Sequence, residues 1–294
     1  MSDARRNAKK LRAASFSILV NVFLLSLKLV VRVVTGSLGI LAEAAHSLLD
    51  LIASGFAYLG VKGASIPAHE DRPYGHEKYE NFSSLIQTVL LGITSIWILY
   101  EAGQRLLNGF SLEVGNALYY DAMAVMVIAV VADLYVSRYL FRNARAFGSS
   151  ALEADAYHFS TDMYSSAAVL VGFAAAKLGY VFIDPLAAIV VAVIMLSTSI
   201  RLFQRTTRIL LDAAPPKEMT THIAEVICND PHVTYYHDLR ARQAGSSLFV
   251  DVSIHVKPDL SLEDAHGIAP DLESAIKKRV PNVKDSVIHI EPEI

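Results

Sequence analysis

Six long apolar stretches follow one another in the N-terminal part of the chain, and each has the length of a membrane-spanning helix. A helix needs about 20 mostly apolar residues to cross a bilayer. Short connections after the first, third and fifth stretches make successive helices antiparallel neighbours. The pattern therefore predicts a polytopic α-helical membrane protein with six transmembrane helices, at Ala14–Val34, Leu38–Val61, Phe82–Leu106, Leu118–Phe141, Ala151–Leu178 and Phe182–Leu202.

The pattern changes after Asp212, where Ala213–Pro216 opens a segment of mixed charge. Apolar residues then alternate with period two in the strands and with helical spacing in the helices, and Pro270 is expected to interrupt or kink the second helix. The order predicts a C-terminal cytoplasmic α+β domain, ferredoxin-like with its first strand missing or short. We place the transmembrane domain in residues 1–212 and the second domain in residues 213–294. The predicted elements are helix Lys217–Asn229, strand Thr234–Gln243, strand Ser247–Val256, helix Ser261–Arg279 and strand Val283–Glu291.

Composition supports the membrane class. Hydrophobic residues make up 53% of the chain and the mean hydropathy is +0.38, too apolar for an ordinary soluble domain. Cys228 is the only cysteine, which excludes an internal disulfide and a cysteine-based zinc finger. The basic N-terminus resembles the start of a signal peptide, but it has no small-residue cleavage site and further spans follow, so we interpret the first apolar stretch as a span.

Basic residues gather at one end of the predicted bundle. Because Lys and Arg concentrate in cytoplasmic loops, this asymmetry predicts that both termini are cytoplasmic in a protein of the cell (inner) membrane. The opposite end carries only Arg32, Arg105 and Lys177. The basic end carries Arg5, Arg6, Lys9, Lys10, Arg12, Lys62, Arg72, Lys78, Arg138, Arg142, Arg145, Arg201, Arg205 and Arg208.

Two predicted spans contain the same pair of ionisable residues at the same spacing. The second span contains His46 and Asp50, and the fifth contains His158 and Asp162. Residues four apart lie on one face of a helix, and ionisable groups inside a bilayer are costly, so they are functional candidates. One such pair is readily explained as a structural hydrogen bond. Its repetition in two spans favours a single four-ligand metal site.

The ligand types narrow the choice of metal. Two imidazoles and two carboxylates suit tetrahedral Zn²⁺. The absence of thiolates argues against Cu(I), and the imidazoles argue against Mg²⁺ and Ca²⁺. Further polar residues inside the spans are interpreted as structural rather than as ligands, or as lining a water-filled path: Asn21, Lys28, Glu43, Asp133, Glu153 and Asp155.

Histidines also occur in the second loop and in the tail. In the loop, His69, Asp71 and His76 are candidate ligands, although an ordinary solvated acidic loop explains them equally well. In the tail, a strand start, a helix and a last strand carry the histidines, and we expect these elements to converge on metal. The tail candidates are His237, His266, His289 and Glu291.

Taken together, these motifs resemble the cation diffusion facilitator family. The resemblance rests on the paired motifs in spans two and five, on GHEKYE before span three and on HDLRARQAG in the tail, and it covers nearly the whole chain. It implies a homodimer that exchanges a divalent metal for protons. It also implies a transport site of His46, Asp50, His158 and Asp162, with regulatory metal in the tail.

The resemblance is incomplete in two places. Ser253 stands where relatives can have a strand histidine, and His255 follows two residues later. In the loop, His76 matches, but Arg72 occupies a place that is histidine in some relatives, and His69 stands where an aspartate can. Both departures put a complete tail site and a complete loop site in question.

The sequence thus predicts a divalent metal efflux transporter, most specifically a Zn²⁺/H⁺ antiporter in which Zn²⁺ is cargo and regulatory ligand. It predicts no organic cofactor and no nucleic-acid partner. Cadmium, cobalt, iron or manganese as cargo, and a membrane metal sensor, remain alternatives. An enzyme is not expected, because a metallohydrolase needs an open coordination position and a separate base, and no HExxH motif is present.

Overall fold

The computed structural model describes residues 3–35, 38–108, 116–180 and 182–293. The chain divides into two compact units, Met1–Thr206 and Thr207–Ile294. This division falls in the last turn of the sixth helix, a few residues before the expected boundary at residue 212. The two units are described separately below.

The first unit is built from six long helices. Four contain a predicted span entirely. The fifth ends at Lys177, one residue before the end of its predicted span, and the sixth begins at Ile183, one residue after the start of its predicted span. The shortest has 27 residues and the longest 33, which gives a length of roughly 40 Å or more at 1.5 Å per residue. The helices are α1 Asp3–Thr35, α2 Leu38–Ala64, α3 Lys78–Asn108, α4 Asn116–Phe147, α5 Ser150–Lys177 and α6 Ile183–Leu210.

Four of these helices are long and apolar enough to cross a membrane, judged on the described residues: Ala4–Leu27, Lys78–Leu107, Met123–Phe147 and Ile183–Leu210. The other two, α2 and α5, carry the His-Asp pairs. The crossing of the membrane by α2 and α5 therefore stays a prediction.

The bundle has apolar residues outside and ionisable residues inside. Trp97 and Leu19 are mostly exposed, whereas Asp133, Asp155 and His158 are buried. A soluble protein has the opposite distribution. An apolar outer surface around buried ionisable groups is what a lipid environment requires.

A buried ion pair joins three parts of the chain at one end of the bundle. Lys10 Nζ lies 2.6 Å from Glu80 Oε1, and Ser149 Oγ donates a 2.6 Å hydrogen bond to Glu80 Oε2. The start of α1, the start of α3 and the α4–α5 connection are held together there, and we call it the Lys10 end. At the opposite end Arg105 Nη1 lies 3.4 Å from Asp184 Oδ2, and we call it the Asp184 end.

The second unit is a three-stranded sheet with two helices. Its elements are α7 Lys217–Cys228, β1 Tyr235–Ala244, β2 Ser247–Val256, α8 Leu262–Arg279 and β3 Val283–Pro292. In the order β1-β2-β3, β2 pairs antiparallel with β1 and parallel with β3. A ferredoxin-like sheet without its first strand has this pairing, because that strand would lie between the two parallel ones. The predicted α+β domain is confirmed.

The helix α8 continues through Pro270. Proline removes one helical hydrogen bond and crowds the preceding turn, so an interruption or a kink was expected. The helix is not interrupted, and a kink stays a prediction. Ile268, Leu272 and Ile276 are buried in the core on either side of the proline. Their packing holds the helix together across the weak point.

The strand β2 separates the covered face of the sheet from the open one. Val250, Val252 and Ile254 are buried in the core beneath the helices. Because side chains alternate along a strand, Ser253 and His255 lie on the open face.

Candidate metal sites

The first candidate site lies where the middles of α2 and α5 meet. His46 Nε2 is 3.8 Å from Asp50 Oδ1 and 3.6 Å from Asp162 Oδ1. Each of these three residues offers a ligand atom, and the three atoms lie within 4.8 Å of one another. His158 joins them through Asp50, since its Nε2 is 3.0 Å from Asp50 Oδ1. All four predicted ligands thus come together, although His158 lies outside the close group of three.

Burial and hydrogen bonding at this place fit a bound cation. The side chains of Asp50 and His158 are only 7% and 4% exposed. Within the described residues, Asp162 Oδ1 and His158 Nδ1 are buried without a hydrogen-bond partner. Buried polar atoms are normally satisfied, and two such atoms beside a carboxylate-imidazole cluster are what a metal ion would satisfy.

A polar cavity opens from this cluster. Its walls come from α1, α2, α4 and α5, and they are formed by Asn21, Leu24, His46, Ser47, Asp50, Asp133, Asp162, Ser165 and Ser166. Leu24, Ser165 and Ser166 lie beyond the cluster toward the Asp184 end, because α1 and α5 both run in that direction. The cavity therefore extends from the cluster toward the Asp184 end.

The other polar residues of the spans have different surroundings. Asp133 lines the cavity, and Asp155 is fully buried beside Ser54. Glu153 accepts two hydrogen bonds from Arg205, at 2.7 and 2.8 Å, which is a structural pair. The side chains of Lys28 and Glu43 lie outside the described residues.

The second-loop candidates are close together but form no tight ligand group among the described residues. The rings of His69 and His76 are 5.0 Å apart, and His69 Nδ1 is 3.9 Å from Asp71 Oδ2. The Asp71 side chain is 95% exposed, whereas the His76 residue is buried. A loop site for metal stays a prediction.

The tail places a ligand group on the open face of its sheet, with a membership that differs from the expected one. The group consists of His237, His255 and Glu291, whose ligand atoms lie within 4.8 Å of one another. Glu291 Oε2 is 3.5 Å from His237 Nε2 and 3.7 Å from His255 Nε2. Expected members His289 and His266 are outside it: His289 Nε2 reaches only Glu291, at 3.4 Å, and His266 is exposed on α8.

Strand register explains why His255 takes this place. In the sheet Tyr235 lies opposite His255, and His255 lies opposite Glu291. Ser253 lies between His237 and His289 on the same face. His255 is one step along that face and reaches Glu291 directly. The feature of the sequence that could have pointed to His255 was its position two residues after Ser253.

Comparisons with known proteins cover nearly the whole chain. A family model described as the cation efflux transmembrane domain matches residues 14–211, and one described as the cytoplasmic domain of cation efflux proteins matches residues 215–293. The chain is 30% identical to the cation-efflux pump FieF of Shewanella oneidensis over 95% of this chain and 93% of that protein. It is 31% identical to metal tolerance protein 2 of Oryza sativa subsp. japonica, over 90% of this chain and 73% of that protein.

The metal-bound C-terminal domain of the CzcD transporter from Thermotoga maritima is 30% identical and aligns with 26% of this chain and 88% of its own, with a TM-score of 0.25.

Both family models agree with the helical bundle and with the α+β tail. Members of the family are transporters and not enzymes, and their substrates are divalent metal cations. The chain is therefore an integral membrane protein of the cation efflux family, the cation diffusion facilitators.

Proposed function

We propose that this protein exports Zn²⁺ in exchange for protons through the site formed by His46, Asp50, His158 and Asp162. The observation that carries the proposal is the meeting of these four side chains in the buried middle of an apolar-coated bundle. Two imidazole nitrogens and two carboxylate oxygens match the ligand preference of zinc. All the carboxylates of the cluster serve as ligands, which suits passage of a metal rather than chemistry on it.

Proton exchange follows from the chemistry of the ligands. Zinc binds neutral imidazole and ionised carboxylate, so loading releases the protons that the empty site holds. A free histidine has a pKa of about 6.5, close to cytoplasmic pH. Protons arriving from the other side would compete with zinc for His46 and His158 and release it there.

The orientation is part of the proposal. The Lys10 end carries most of the basic residues, which supports a cytoplasmic location for this end and for both termini. The protein would then take zinc from the cytoplasm and release it at the Asp184 end, across the cell (inner) membrane. Two copies are expected to act as a homodimer, in keeping with relatives whose tails dimerise.

The tail, residues 213–294, would act as the regulatory and dimerisation domain. His237, His255 and Glu291 offer two nitrogens and one oxygen on the open face of its sheet. Zinc bound there would report cytoplasmic zinc and bias the bundle toward transport. His266 or His289 would complete the coordination of this zinc only if its side chain moved toward the group or came from the second copy.

Flux in proteoliposomes tests the proposal. Zinc uptake is expected to rise with an opposing proton gradient and to be lost in Asp50→Ala, while Glu153→Gln, which removes a carboxylate outside the site, keeps its flux. Zinc flux that does not respond to the pH difference would rule out proton exchange.

The choice of metal needs a separate experiment. Competition of zinc with cadmium, cobalt, iron and manganese should be measured for the wild type and for His46→Asp. We expect zinc to be preferred by the wild type and the preference to weaken in the variant, which has one imidazole fewer. Preference of the wild type for iron or manganese would overturn zinc as the cargo.

A further inference from the structure

A second layer of polar side chains lies one helical turn from the transport site, toward the Lys10 end. Asp155 precedes His158 by three residues on α5, and Ser54 follows Asp50 by four residues on α2. Both therefore share a helix face with a ligand of the site. Asn21 of α1 completes the layer. Ser54 and Asp155 are 0% exposed, and Asn21 is 4% exposed.

A directed chain of hydrogen bonds joins this layer to the site. Asn21 Nδ2 donates to Ser54 Oγ at 2.8 Å and to the backbone oxygen of Asp50 at 3.3 Å. Ser54 Oγ in turn donates to Asp155 Oδ1 at 2.6 Å. One oxygen of the Asp155 carboxylate thus already accepts a hydrogen bond from the hydroxyl of Ser54.

The carboxylate of Asp155 has Ser17 and His158 as further polar neighbours. Its Oδ2 is buried and has no hydrogen-bond partner among the described residues. No lysine or arginine of the described part of the chain forms an ion pair with it either, in contrast to Glu80 and Glu153. A buried carboxylate without a cation is costly, so a positive charge arriving at this position would be stabilised.

Ser54 and Asp155 lie on the Lys10 side of the transport site, whereas Asn21 also lines the cavity. The cavity reaches the site from the Asp184 end and is not lined by Ser54 or Asp155. A cation that arrives from the Lys10 end has to pass the layer before it meets His158 and Asp50. Oxygen ligands hold zinc less firmly than imidazole does, so a cation held at Asp155 would move on to the histidines.

We propose that Asp155 is a relay site that receives the divalent cation on its way from the Lys10 end to the transport site. In the conformation described, the hydroxyl of Ser54 closes this relay by occupying Asp155 Oδ1. The proposal rests on the proposed function, since it assumes that the four-ligand site is the destination of the cation.

Two substitutions separate the charge of Asp155 from its hydrogen bond. Asp155→Asn removes the charge but keeps an oxygen that accepts from Ser54. Ser54→Ala removes the hydrogen bond but keeps the charge. A relay needs the charge, whereas a purely structural role needs the hydrogen bond.

The measurements are the equilibrium affinity for zinc in detergent and the initial rate of zinc transport in proteoliposomes as a function of zinc concentration. For Asp155→Asn we expect an affinity within about twofold of the wild type and a kcat/KM lower by about tenfold, mainly through KM, because a negative group on the path raises the rate of arrival. Ser54→Ala should keep a kcat/KM at least equal to that of the wild type.

Control variants keep the outcomes distinct. Glu153→Gln removes a carboxylate two residues away on the same helix and should leave both quantities unchanged. Asp50→Ala should lose transport and zinc binding at the transport site, while the tail keeps its own binding; if it transports zinc normally, the proposed function fails, whatever Asp155 does. If Asp155→Asn does not give a monodisperse protein, Asp155→Ser carries the same expectation.

An unchanged kcat/KM in Asp155→Asn overturns the relay. So does a loss in Ser54→Ala as large as that in Asp155→Asn, which would make the hydrogen bond the important feature. An equal loss of affinity and transport in Asp155→Asn also overturns it, since Asp155 would then only support the transport site.

Discussion

At the scale of single residues, Asp50 lies between the two histidines of the proposed transport site. One of its oxygens, Oδ1, is 3.0 Å from His158 Nε2 and 3.8 Å from His46 Nε2. With 7% of its side chain exposed, this carboxylate is poorly hydrated. Its charge therefore acts on both imidazoles and on any cation between them with little screening.

Asp50→Asn should weaken zinc binding more than any other single amide substitution in the bundle. The amide keeps the shape of the side chain but loses the negative charge and the strong ligand oxygen. We expect zinc affinity to fall by about a hundredfold or more, because even residues that only support metal ligands contribute up to about a hundredfold. Titration of the purified protein with a competing zinc chelator measures this, with Glu153→Gln as the control. Affinity within a few fold of the wild type would show that Asp50 is not a ligand.

A second residue-scale prediction concerns the tail. His255→Ala should lower zinc binding by the tail by about tenfold or more, because it removes one of three ligands from the open face of the sheet. The matched control is His232→Ala, an exposed tail histidine outside the group. Zinc titration of the Asp50→Ala background isolates the tail signal. Equal affinities of the two histidine variants would contradict a role for His255.

These residues differ in how far the sequence could predict their positions. The four-residue spacing put each histidine beside its aspartate on one helix face, which needs only the helical repeat. The tail group depends on register between three strands, including an irregularity of β1 between His237 and Arg240. Such a shift changes which side chains meet, and nothing in the local sequence fixes it. For this reason His255 replaced the expected His266 and His289.

At the scale of elements, the predicted spans match the six long helices, apart from one residue at the end of the fifth span and one at the start of the sixth. Uninterrupted apolar runs have few other stable structures. The helix ends are less predictable: α1 begins at Asp3, well before the first apolar stretch, and its early part carries Lys10, which pairs with Glu80. Close helix contacts are equally hidden in the sequence. Gly60 on α2 lies against Ser83 of α3, where an added Cβ would be 2.3 Å from Ser83 Cβ.

Gly60→Ala should therefore destabilise the bundle, although alanine is the better helix former. The new methyl group would force α2 and α3 apart, at a cost of about 1–3 kcal/mol in the free energy of unfolding. Gly55→Ala is a matched control on the same helix, because its added Cβ meets nothing within 4 Å. That variant should be neutral or stabilised by up to about 1 kcal/mol. Thermal unfolding in detergent compares them, and a Tm of Gly60→Ala at or above that of Gly55→Ala would refute the close contact.

At the scale of the whole molecule, the chain has two units, each with its own hydrophobic core and its own candidate metal site. Composition and periodicity predicted this division, because an apolar bundle and an α+β domain have different patterns. They could not predict on which side of the transport site a cavity lies, since that depends on how the helices tilt and pack. The cavity lies toward the Asp184 end and the buried layer toward the Lys10 end. A transport cycle has to reverse this asymmetry between the two ends of the bundle.

Zinc affinity of the transport site should fall steeply as the pH is lowered through the range in which histidine titrates. Above a pH of about 6.5 a free imidazole is neutral and binds metal, and below it the proton competes. If both His46 and His158 have to lose a proton, the logarithm of the affinity should fall with pH about twice as steeply as it does when one imidazole titrates. His46→Asp leaves one imidazole in the site, so its slope should be about half that of the wild type. Titrations in a His255→Ala background, which remove the tail contribution, measure both slopes; equal slopes for the two proteins would mean that His46 takes no part in proton exchange.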